Sequence, residues 1–328
     1  MAKIKIAIVG CGFVGTALGL ALREAMPNAE LIGHDKDQAA MKRAEATKAI
    51  DKGNWNLPAA CEGASLVLVT IPSEGVEVTL RSIGKEMSPN AIVATVGGSI
   101  KQMLTLGQKY VSANASFIAT SLVMHPNVSA TGTKTEAANA DMLKNAIWTI
   151  SPSPGTSPDH ADAFAGLVSG MDAVPVFMDP LEHDGLSLSV NVLPALLSSA
   201  LMLAVSEDGA WRERKWMAGA DFGEATARAE SAAQKVAQQV LAQRAAAVHW
   251  LNQTMLKLMA FRDAIDDGDE TQLQADLQKA RDKRDEWLND WHKGRNAERG
   301  QQYKPPSLLG SFLGQNLAQK LQNTDKRK

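Results

Sequence analysis

Apolar and polar residues alternate in a regular way through the first half of the chain. Short apolar runs predict strands at residues 4–9, 30–34, 66–71, 91–96, 116–122, 146–150 and 174–178. Segments with helical periodicity lie between several of them, for example at residues 13–25, 36–48 and 74–85. Strands separated by helices imply right-handed crossovers, so this half is expected to be an α/β domain with a mostly parallel sheet covered on both faces.

The pattern changes at Asp179-Pro180. From there to Trp291 the sequence has helical periodicity and no strand pattern, with many Ala, Leu, Gln and Arg residues. We therefore predict two domains, an N-terminal α/β domain over residues 1–179 and an all-α domain over residues 180–328.

The elements within the helical half follow from its prolines and glycines. Residues 222–265 contain no proline and only one glycine, Gly223, which favours one long helix or two joined helices. The acidic stretch at residues 266–269 predicts a turn before a last helix at residues 270–291. The charged stretch WRERKW, residues 211–216, is interpreted as a turn between helices, with a contact of Arg212 or Arg214 with the substrate as the alternative.

Composition narrows the class of protein. The chain has 328 residues, 45% of them hydrophobic and 21% charged, with a formal net charge of -2, so neither nucleic acid nor an anionic membrane is expected as a partner. The two cysteines, Cys11 and Cys61, give no disulfide framework and no metal-ligand spacing, as expected for a cytoplasmic protein. The longest apolar run, residues 193–205, contains Pro194 and falls short of a membrane span, and the N-terminal MAKIKIAIVG predicts a strand rather than a signal peptide.

A glycine-rich segment follows the first predicted strand and opens the first predicted helix. In KIAIVGCGFVGTALGLALREA, Gly10 permits a tight turn, Gly12 lets the backbone approach a pyrophosphate, and Gly15 allows the helix to pack closely on the strand. The helix N-terminus then faces the phosphate charge. This context predicts a Rossmann-type dinucleotide-binding domain, with a tight turn that binds no ligand as the alternative.

An acidic residue ends the second predicted strand. Asp35, in AELIGHDKD, can accept hydrogen bonds from the ribose hydroxyls and repel a 2′-phosphate, which favours NAD over NADP as the cofactor. Two alternatives stay open: Asp35 could cap the helix predicted at residues 36–48, and the adjacent Lys36 could attract a phosphate. We also assign cofactor contacts to the residues flanking these motifs, namely Phe13, Val14, Ile71 and Pro72.

The order of motifs along the chain resembles that of one enzyme family. After the glycine segment and the acidic second strand come TIPSE, TVGGSIK, MHPNVSATGT, AIWTISPSP and MDPLEHD, followed by an all-helical half. This order is similar to that of the prephenate/arogenate dehydrogenases of tyrosine biosynthesis, from Lys3 to about Trp291. Many dehydrogenases share the glycine motif, so the more specific part of the likeness is His-Pro after the fifth strand together with Glu-His-Asp at the domain junction.

The resemblance implies an NAD(P)-dependent dehydrogenase that passes hydride from a carboxylated ring alcohol to NAD, with oxidative decarboxylation. It implies a small carboxylate substrate and a homodimer formed through the helical domain. His125 in LVMHPN matches the family's catalytic histidine, which hydrogen-bonds the substrate hydroxyl, and Ser99 in GGSIK matches a serine beside the substrate and the nicotinamide. Arg228 in DFGEATARAE lies near the family's substrate-carboxylate arginine, with a local spacing one residue longer.

Each of these site residues has a structural alternative. His125 could be a loop histidine bound by backbone groups, and Ser99 could cap a helix starting at Ile100. Arg228 could be a solvated residue on a helix surface. The residues by themselves leave both interpretations open.

Glu182, His183 and Asp184 stand in a row at the start of a predicted helix. Carboxylates in a first turn favour the helix macrodipole, so helix capping is the preferred interpretation for Glu182 and Asp184. An imidazole gains nothing at a helix start. We therefore predict that His183 faces the substrate or the cofactor, with a structural hydrogen bond as the alternative.

The sequence departs from the family pattern in two places. Where the family has Ser-His-Leu-Pro-His, residues 191–195 are NVLPA, with Val192 and Ala195 in place of the histidines, so the substrate pocket is expected to have less polarity and more room. After His-Pro the family's early glycine is delayed to Gly132, and Asn127 is a candidate to supply a lost hydrogen bond to the substrate.

These departures leave two alternatives to a prephenate- or arogenate-type enzyme. One is a dehydrogenase of the same scaffold acting on a different hydroxy acid, because loss of hydrogen-bonding groups changes substrate choice more readily than reaction type. The other is a non-catalytic nucleotide-binding protein.

Only 37 residues follow Trp291 (328 − 291), too few for a regulatory ACT domain, and no chorismate mutase segment precedes Met1, so feedback inhibition through such a domain is not expected.

Overall fold

The structure is a computed structural model that describes residues 4–85, 87–126, 128 and 137–292. Within these residues, eight strands form one sheet. In chain order the strands are β1 (Lys5–Val9), β2 (Glu30–His34), β3 (Lys52–Gly53), β4 (Leu66–Val69), β5 (Ile92–Val96), β6 (Ser116–Val123), β7 (Ile147–Pro152) and β8 (Val174–Phe177). Their order across the sheet is β3-β2-β1-β4-β5-β6-β7-β8, and every adjacent pair is parallel except β6 and β7.

The predicted mostly parallel sheet is confirmed. The seven predicted strands are all present, with ends that differ by at most two residues from the prediction. Sequence reasoning missed β3, which consists of Lys52 and Gly53 and pairs with β2 at the edge of the sheet. A polar strand of two residues has no apolar pattern that could mark it.

Helices cover both faces of the sheet. One face carries α1 (Phe13–Ala25), α2 (Gln38–Ala46) and α6 (Pro158–Gly170), and the other carries α3 (Leu57–Cys61), α4 (Ser73–Ile83) and α5 (Ile100–Tyr110). In β1, Ile6 and Ile8 belong to the core on the first face, whereas Ala7 and Val9 belong to the core on the second. Successive strand residues point to opposite faces, so a strand buried on both sides is apolar throughout.

The second half of the chain is helical. It consists of α7 (Pro180–Ser187), a π-helical segment (Leu188–Val192), α8 (Leu193–Ser206), α9 (Trp211–Met217), α10 (Ala220–Thr226), a 3₁₀ segment (Ala227–Glu230), α11 (Ala233–Ala242), α12 (Arg244–Asp266) and α13 (Glu270–His292). The stretch 211–216 is part of α9, so its interpretation as a turn is wrong. The predicted last helix is present as α13 and ends one residue later than predicted.

The prediction of one or two helices over residues 222–265 is also wrong, because the chain breaks between α10 and α11 and again between α11 and α12. Side-chain hydroxyls bind the carbonyls around the first break. Thr226 Oγ1 donates to the Phe222 carbonyl at 2.6 Å, and Ser198 Oγ donates to the Ala225 carbonyl at 2.8 Å. Such bonds compete with the helical ladder and bend helices, so this break is set by tertiary contacts rather than by proline or glycine.

The chain divides into two compact units. The first, the sheet unit, contains the described residues through Asp179 together with residues 285–292. The second, the helical unit, is Pro180–Arg284. α13 therefore begins in the helical unit and ends in the sheet unit. The functional division between residues 1–179 and 180–328 stays a prediction.

Among the described residues, one helical stretch has the length and composition of a membrane span. α7, the π-helical segment and α8 run without interruption over the 27 residues Pro180–Ser206, in which an apolar window has a mean hydropathy of 2.0 and is 28% buried. The prediction that the apolar run is too short to span a membrane is therefore wrong, because the run continues in the same helix on its N-terminal side. Length and composition are weak grounds for a span, since the core helix of a soluble protein can have the same properties.

Candidate functional site

Five strands of the sheet unit end at the same edge of the sheet. β1, β2, β4, β5 and β6 are parallel, so the loops that follow them lie along one carboxyl edge. Those loops carry, in turn, Gly10, Asp35, Ile71, Ser99 and His125. The topology thus collects candidate residues that are far apart in sequence at the edge where doubly wound sheets bind ligands.

The three glycines after β1 have different surroundings. Gly10 has a φ of 106°, and a Cβ there would lie 2.8 Å from Thr70 Oγ1. A Cβ at Gly15 would lie only 1.8 Å from the Gly10 carbonyl oxygen, so only glycine fits this contact between helix and turn. A Cβ at Gly12 would meet no described atom within 4 Å. The turn therefore needs Gly10 and Gly15 for its own packing, whereas Gly12 faces open space that a phosphate can approach.

The first helix presents an uncapped N-terminus at this turn. α1 begins at Phe13 after the N-cap Gly12, with no side-chain hydrogen bond at the cap and no acidic residue in the first turn. Its first backbone N–H groups and the positive end of its dipole can therefore receive an anion. Phe13 and Val14, which are both half-buried, lie in this first turn.

Asp35 is bound to the glycine turn. One carboxylate oxygen, Oδ2, accepts a hydrogen bond from the Cys11 backbone N–H at 2.8 Å, and Oδ1 accepts one from the Asp37 N–H at 2.9 Å. The cap of α2 is Asp37, whose carboxylate accepts from Ala39 N–H, so the alternative that Asp35 caps this helix is wrong. Asp35 is placed beside the turn, where its charge acts on whatever binds there.

Replacing Asp35 with asparagine is expected to raise the dissociation constant for NAD and to shift preference toward NADP, by about tenfold each. The reason is loss of a carboxylate that would accept hydrogen bonds from the ribose and repel a 2′-phosphate, since a hydrogen bond to a charged group contributes about 1.5–3 kcal/mol. Fluorescence titrations with both cofactors measure the change. Asp37→Asn is the matched control because it removes a neighbouring, exposed carboxylate, and equal effects of the two variants would contradict the assignment.

Cys11 stands between the glycines of the turn. Burial raises the pKa of its thiol to about 12, with further upward contributions from the carboxylates of Asp35 and Glu45. At physiological pH the thiol is therefore neutral and adds no negative charge beside a bound phosphate.

The loop after β4 also supports the glycine turn. Thr70 Oγ1 lies 2.7 Å from the Gly10 carbonyl oxygen and 3.1 Å from that of Val9, both acceptors for its hydroxyl proton. Ile71 and Pro72 follow directly, and Pro72 precedes the first residue of α4. Sequence reasoning missed Thr70, because a single threonine at a strand end carries no signal of its own.

Ser99 caps α5. Its hydroxyl oxygen accepts a hydrogen bond from the Gln102 backbone N–H at 3.2 Å, after two glycines with positive φ, Gly97 and Gly98. The structural alternative for Ser99 is therefore present in the fold. A capping hydroxyl still carries a proton that it can donate, so a second role beside the substrate stays a prediction.

His125 lies two residues beyond the end of β6 and is half-buried. Its backbone carbonyl accepts a hydrogen bond from Val128 N–H at 2.8 Å. The imidazole makes an edge-to-face contact with the indole of Trp291, with ring centroids 5.6 Å apart and an interplanar angle of 69°. No pattern in the sequence predicts this contact, because His125 and Trp291 are far apart along the chain. The predicted contact of Asn127 with the substrate lies outside the described residues.

In the helical unit, His183 and Asp184 form a buried pair. His183 Nδ1 and Asp184 Oδ1 are 3.0 Å apart, and each side chain is less than a tenth exposed. Consecutive side chains on a helix point about 100° apart, so both must turn toward each other to make this contact. Glu182 is exposed in the first turn, as its capping interpretation requires, whereas Asp184 is a partner of His183 rather than a solvated cap.

The π-helical segment coincides with the departure from the family pattern. Pro194 lies at the second position of α8, and a proline inside a helix lacks an N–H and clashes with the carbonyl four residues earlier. A wider π turn just before it accommodates both effects. Val192 packs with Leu188 and Ala247 in the core of the helical unit, and Ala195 is buried. Val192, in place of a histidine, is therefore a core residue here.

Arg228 lies in the 3₁₀ segment between α10 and α11, where it is exposed. This placement fits a solvated arginine in the chain described here, and its role as a carboxylate ligand stays a prediction. No described group of three or more His, Cys, Asp and Glu side chains is arranged to hold a metal ion.

Sequence comparisons agree with this geometry. Residues 18–176 match the family model of the prephenate dehydrogenase nucleotide-binding domain. The chain is 23% identical over 202 residues to prephenate dehydrogenase of Bacillus subtilis (strain 168), covering 61% of this chain and 53% of that protein. It is 28% identical over 207 residues to a probable prephenate dehydrogenase of Streptomyces niveus, covering 62% and 54%. The matches span about half the length of these curated relatives.

Solved structures share the fold. A prephenate dehydrogenase from Aquifex aeolicus, in complex with hydroxyphenyl propionate and NAD+, superposes with a TM-score of 0.74 at 18% identity over 87% of this chain and 99% of that one. Arogenate dehydrogenase from Synechocystis superposes with a TM-score of 0.68 at 20% identity over 87% of this chain and 100% of that one. At these identities the likeness concerns the fold.

The sheet unit has the features of a Rossmann-type nucleotide-binding protein. These are a mostly parallel sheet, a glycine turn after the first strand, an uncapped first helix and an acidic residue after the second strand. Within that class, residues 18–176 are similar to the nucleotide-binding domain of prephenate dehydrogenase, and the fold is similar to that of prephenate and arogenate dehydrogenases. The predicted resemblance is thereby confirmed.

Proposed function

We propose that this chain is an NAD-dependent dehydrogenase of the prephenate/arogenate type, which oxidises a carboxylated ring alcohol with loss of CO2. One observation carries the proposal: the glycine turn, Asp35, Ser99 and His125 occupy neighbouring loops at the carboxyl edge of one sheet, in the order of the family pattern. The names of the curated relatives support the same activity.

The residues of the first two loops fit NAD. Gly12 and the N-terminus of α1 would hold the pyrophosphate, and Asp35 would accept hydrogen bonds from the ribose hydroxyls. The NAD held there supplies the hydride acceptor. The carboxylate of Asp35 would disfavour the 2′-phosphate of NADP.

His125 would accept the proton of the substrate hydroxyl. As hydride leaves the carbinol carbon, the hydroxyl becomes more acidic, and a neutral imidazole within hydrogen-bond reach takes its proton. Cleavage of the ring–carboxylate bond returns its electron pair to the ring, which becomes aromatic as CO2 leaves, and the ring oxygen would take its proton back from the imidazolium of His125 to give a phenol. Arg228 would bind a carboxylate of the substrate through its planar guanidinium, and His183 and Ser99 would contribute hydrogen bonds.

Assays of NADH formation with prephenate, arogenate and a panel of hydroxy acids test this function. Turnover of prephenate or arogenate supports it. Turnover of other hydroxy acids alone would replace the substrate while keeping the reaction type, as the apolar Val192 and Ala195 would allow. NAD binding without turnover of any of them would overturn the enzymatic function.

A homodimer formed through the helical unit is part of the proposal. The described core cluster of this unit is small, with Leu188, Val192 and Ala247 as its buried members. Many of its large apolar side chains are exposed, including Leu186, Val190, Leu203, Val248, Met255, Leu258 and Ile265. Apolar surface on this scale is characteristic of an interface, and α8 and α12 both contribute to it.

A second copy of this chain is the occupant we propose for this surface. Near the start of the helix Pro180–Ser206, the side chains of His183 and Asp184 form a buried pair, as in a helix that packs against protein. The dimer would be a cytoplasmic protein without nucleic-acid or membrane partners.

Substituting Leu203 or Leu258 with glutamate is expected to convert the dimer to monomer at micromolar concentration, because a charge buried in an apolar interface costs several kcal/mol. Sedimentation velocity measures the change. Val78→Glu is the control, since Val78 is an exposed apolar residue on α4 in the sheet unit. A wild-type monomer would contradict the dimer, and co-flotation of the wild type with phospholipid vesicles would favour a membrane instead.

A further inference from the structure

We propose that Trp291 is a positioning residue that sets the orientation of the His125 imidazole, an inference that rests on the proposed function. The two rings meet edge to face, with centroids 5.6 Å apart and planes at 69°. Trp291 is 6% exposed and lies next to the last residue of α13. A rigid, buried indole thus forms one wall of the place where His125 would meet the substrate hydroxyl.

His125 lies beyond the end of β6 and directly before Pro126, in neither a strand nor a helix. The 2.8 Å bond from Val128 N–H holds its backbone carbonyl, and the indole of Trp291 contacts its ring. Proton transfer requires the correct ring nitrogen to point at the hydroxyl within about 3 Å. Contact with the indole restricts the imidazole rotamers without occupying a ring nitrogen, as an edge-to-face aromatic pair has a defined geometry.

The path of α13 brings Trp291 to this place. The helix begins at Glu270 in the helical unit, and from Asp285 onward it belongs to the sheet unit. Trp291 is therefore a residue of the sheet unit that arrives from the far end of the chain. On the same helix, Trp287 lies one turn earlier and is 48% exposed. The two tryptophans offer a matched pair, since Trp291 is buried against His125 and Trp287 is about half exposed.

A purely structural role for Trp291 predicts different kinetics from a positioning role. Loss of a buried core indole by itself would lower thermal stability, and any loosening of the sheet unit would weaken NAD binding as well. Misplacement of the His125 ring would instead lower kcat and leave NAD affinity and substrate KM nearly unchanged, since a small misplacement of a catalytic group costs up to about a hundredfold in rate. Phenylalanine keeps an aromatic partner for the imidazole and should restore most of the rate.

The test compares wild type with Trp291→Leu, Trp291→Phe and the control Trp287→Leu in the full chain. We expect kcat to fall at least about tenfold in Trp291→Leu, to stay within about threefold in Trp291→Phe and to be unchanged in Trp287→Leu. In parallel, NMR spectra of cofactor-free protein labelled with carbon-13 histidine report the His125 ring, whose signal is assigned among the six histidines by His125→Asn. The indole ring current displaces that signal in wild type, and Trp291→Leu should abolish the displacement.

Several results would overturn the inference. One is a wild-type His125 signal in Trp291→Leu; another is a kcat defect in Trp291→Leu that Trp287→Leu shares. If Trp291→Leu does not fold, a Trp291→Phe variant with full stability and a kcat lowered at least about tenfold would also refute it, because the retained aromatic partner is expected to keep the rate within about threefold. Failure of the proposed function can be distinguished from failure of this inference. If the wild type shows no turnover, the NMR comparison, which needs no substrate, still decides whether Trp291 orients the imidazole.

Discussion

Replacing His125 with asparagine is expected to lower kcat about a thousandfold, in the middle of the range for general acid–base groups. Asparagine keeps a hydrogen-bonding side chain of similar size but cannot take up the hydroxyl proton at neutral pH. The affinity for NAD should not change, since the proposed nucleotide contacts lie in the loops after β1, β2 and β4. Steady-state rates and NAD titrations on the same preparations measure the two quantities.

His160→Asn is the control for this substitution. His160 is another half-buried histidine of the sheet unit, and its Nδ1 lies 2.7 Å from Oγ of Ser116 at the amino-terminal end of β6. Burial lowers the pKa of its imidazole, so at neutral pH His160→Asn replaces a neutral ring and changes no charge. Wild-type rates are expected for His160→Asn. Equal rates for wild type and His125→Asn would show that the proton of the substrate hydroxyl goes elsewhere.

Alanine substitutions at Gly15 and Gly12 are expected to have large but separable effects. A Cβ added at Gly15 would lie 1.8 Å from the Gly10 carbonyl oxygen, so Gly15→Ala must displace backbone and should cost about 3 kcal/mol of stability along with NAD binding. A Cβ at Gly12 meets no described atom within 4 Å, and the φ of Gly12 is -75°, so Gly12→Ala should fold normally. Its methyl group would occupy the space for the pyrophosphate and weaken NAD binding about tenfold or more.

Thermal melting and calorimetric NAD titration of both variants separate the two roles. The expected pattern is a lower melting temperature for Gly15→Ala and a wild-type melting temperature for Gly12→Ala, with weaker NAD binding in both. Wild-type NAD affinity in Gly12→Ala would place the pyrophosphate elsewhere. A stable Gly15→Ala variant would contradict the packing of α1 on the turn.

The sheet could be predicted from sequence because its strands are buried on both faces. Ile6 to Val9 are apolar at every position, since each faces one of two cores, and such runs separate clearly from the helices between them. β3 was not predicted because Lys52 and Gly53 are not part of an apolar run. The breaks among α10, α11 and α12 were not predicted. At the first break, the hydroxyls of Thr226 and Ser198 donate hydrogen bonds to backbone carbonyls, and the bond from Ser198 forms only in the folded unit.

The nucleotide site could be predicted because its chemistry is local. Gly10, Gly12 and Gly15 lie close together in sequence, at the turn after β1 and in the first residues of α1, and the packing there requires Gly10 and Gly15. The contacts of Asp35 with Cys11 and Asp37 depend on two adjacent strands, which the strand pattern already implied. Trp291 could not be predicted in the same way. Its contact with His125 joins the end of α13 to the end of β6, and only the folded chain brings these positions together.

The pair formed by His183 and Asp184 could be predicted only in part from the sequence. Sequence reasoning singled out His183 because an imidazole does not favour a helix start, but it assigned Asp184 to capping. The structure buries both and joins them at 3.0 Å. A carboxylate at Nδ1 fixes the tautomer of an imidazole and leaves Nε2 to face its partner, so Asp184 would support the proposed role of His183.

The central proposal is that this chain couples hydride transfer to decarboxylation. The most direct measurement mixes wild-type protein with NAD and either prephenate or arogenate and follows NADH and CO2 in the same sample. We expect equimolar NADH and CO2 with at least one of the two substrates, and loss of both products together in His125→Asn. NADH formed without CO2, or NAD bound with neither product formed, would contradict it.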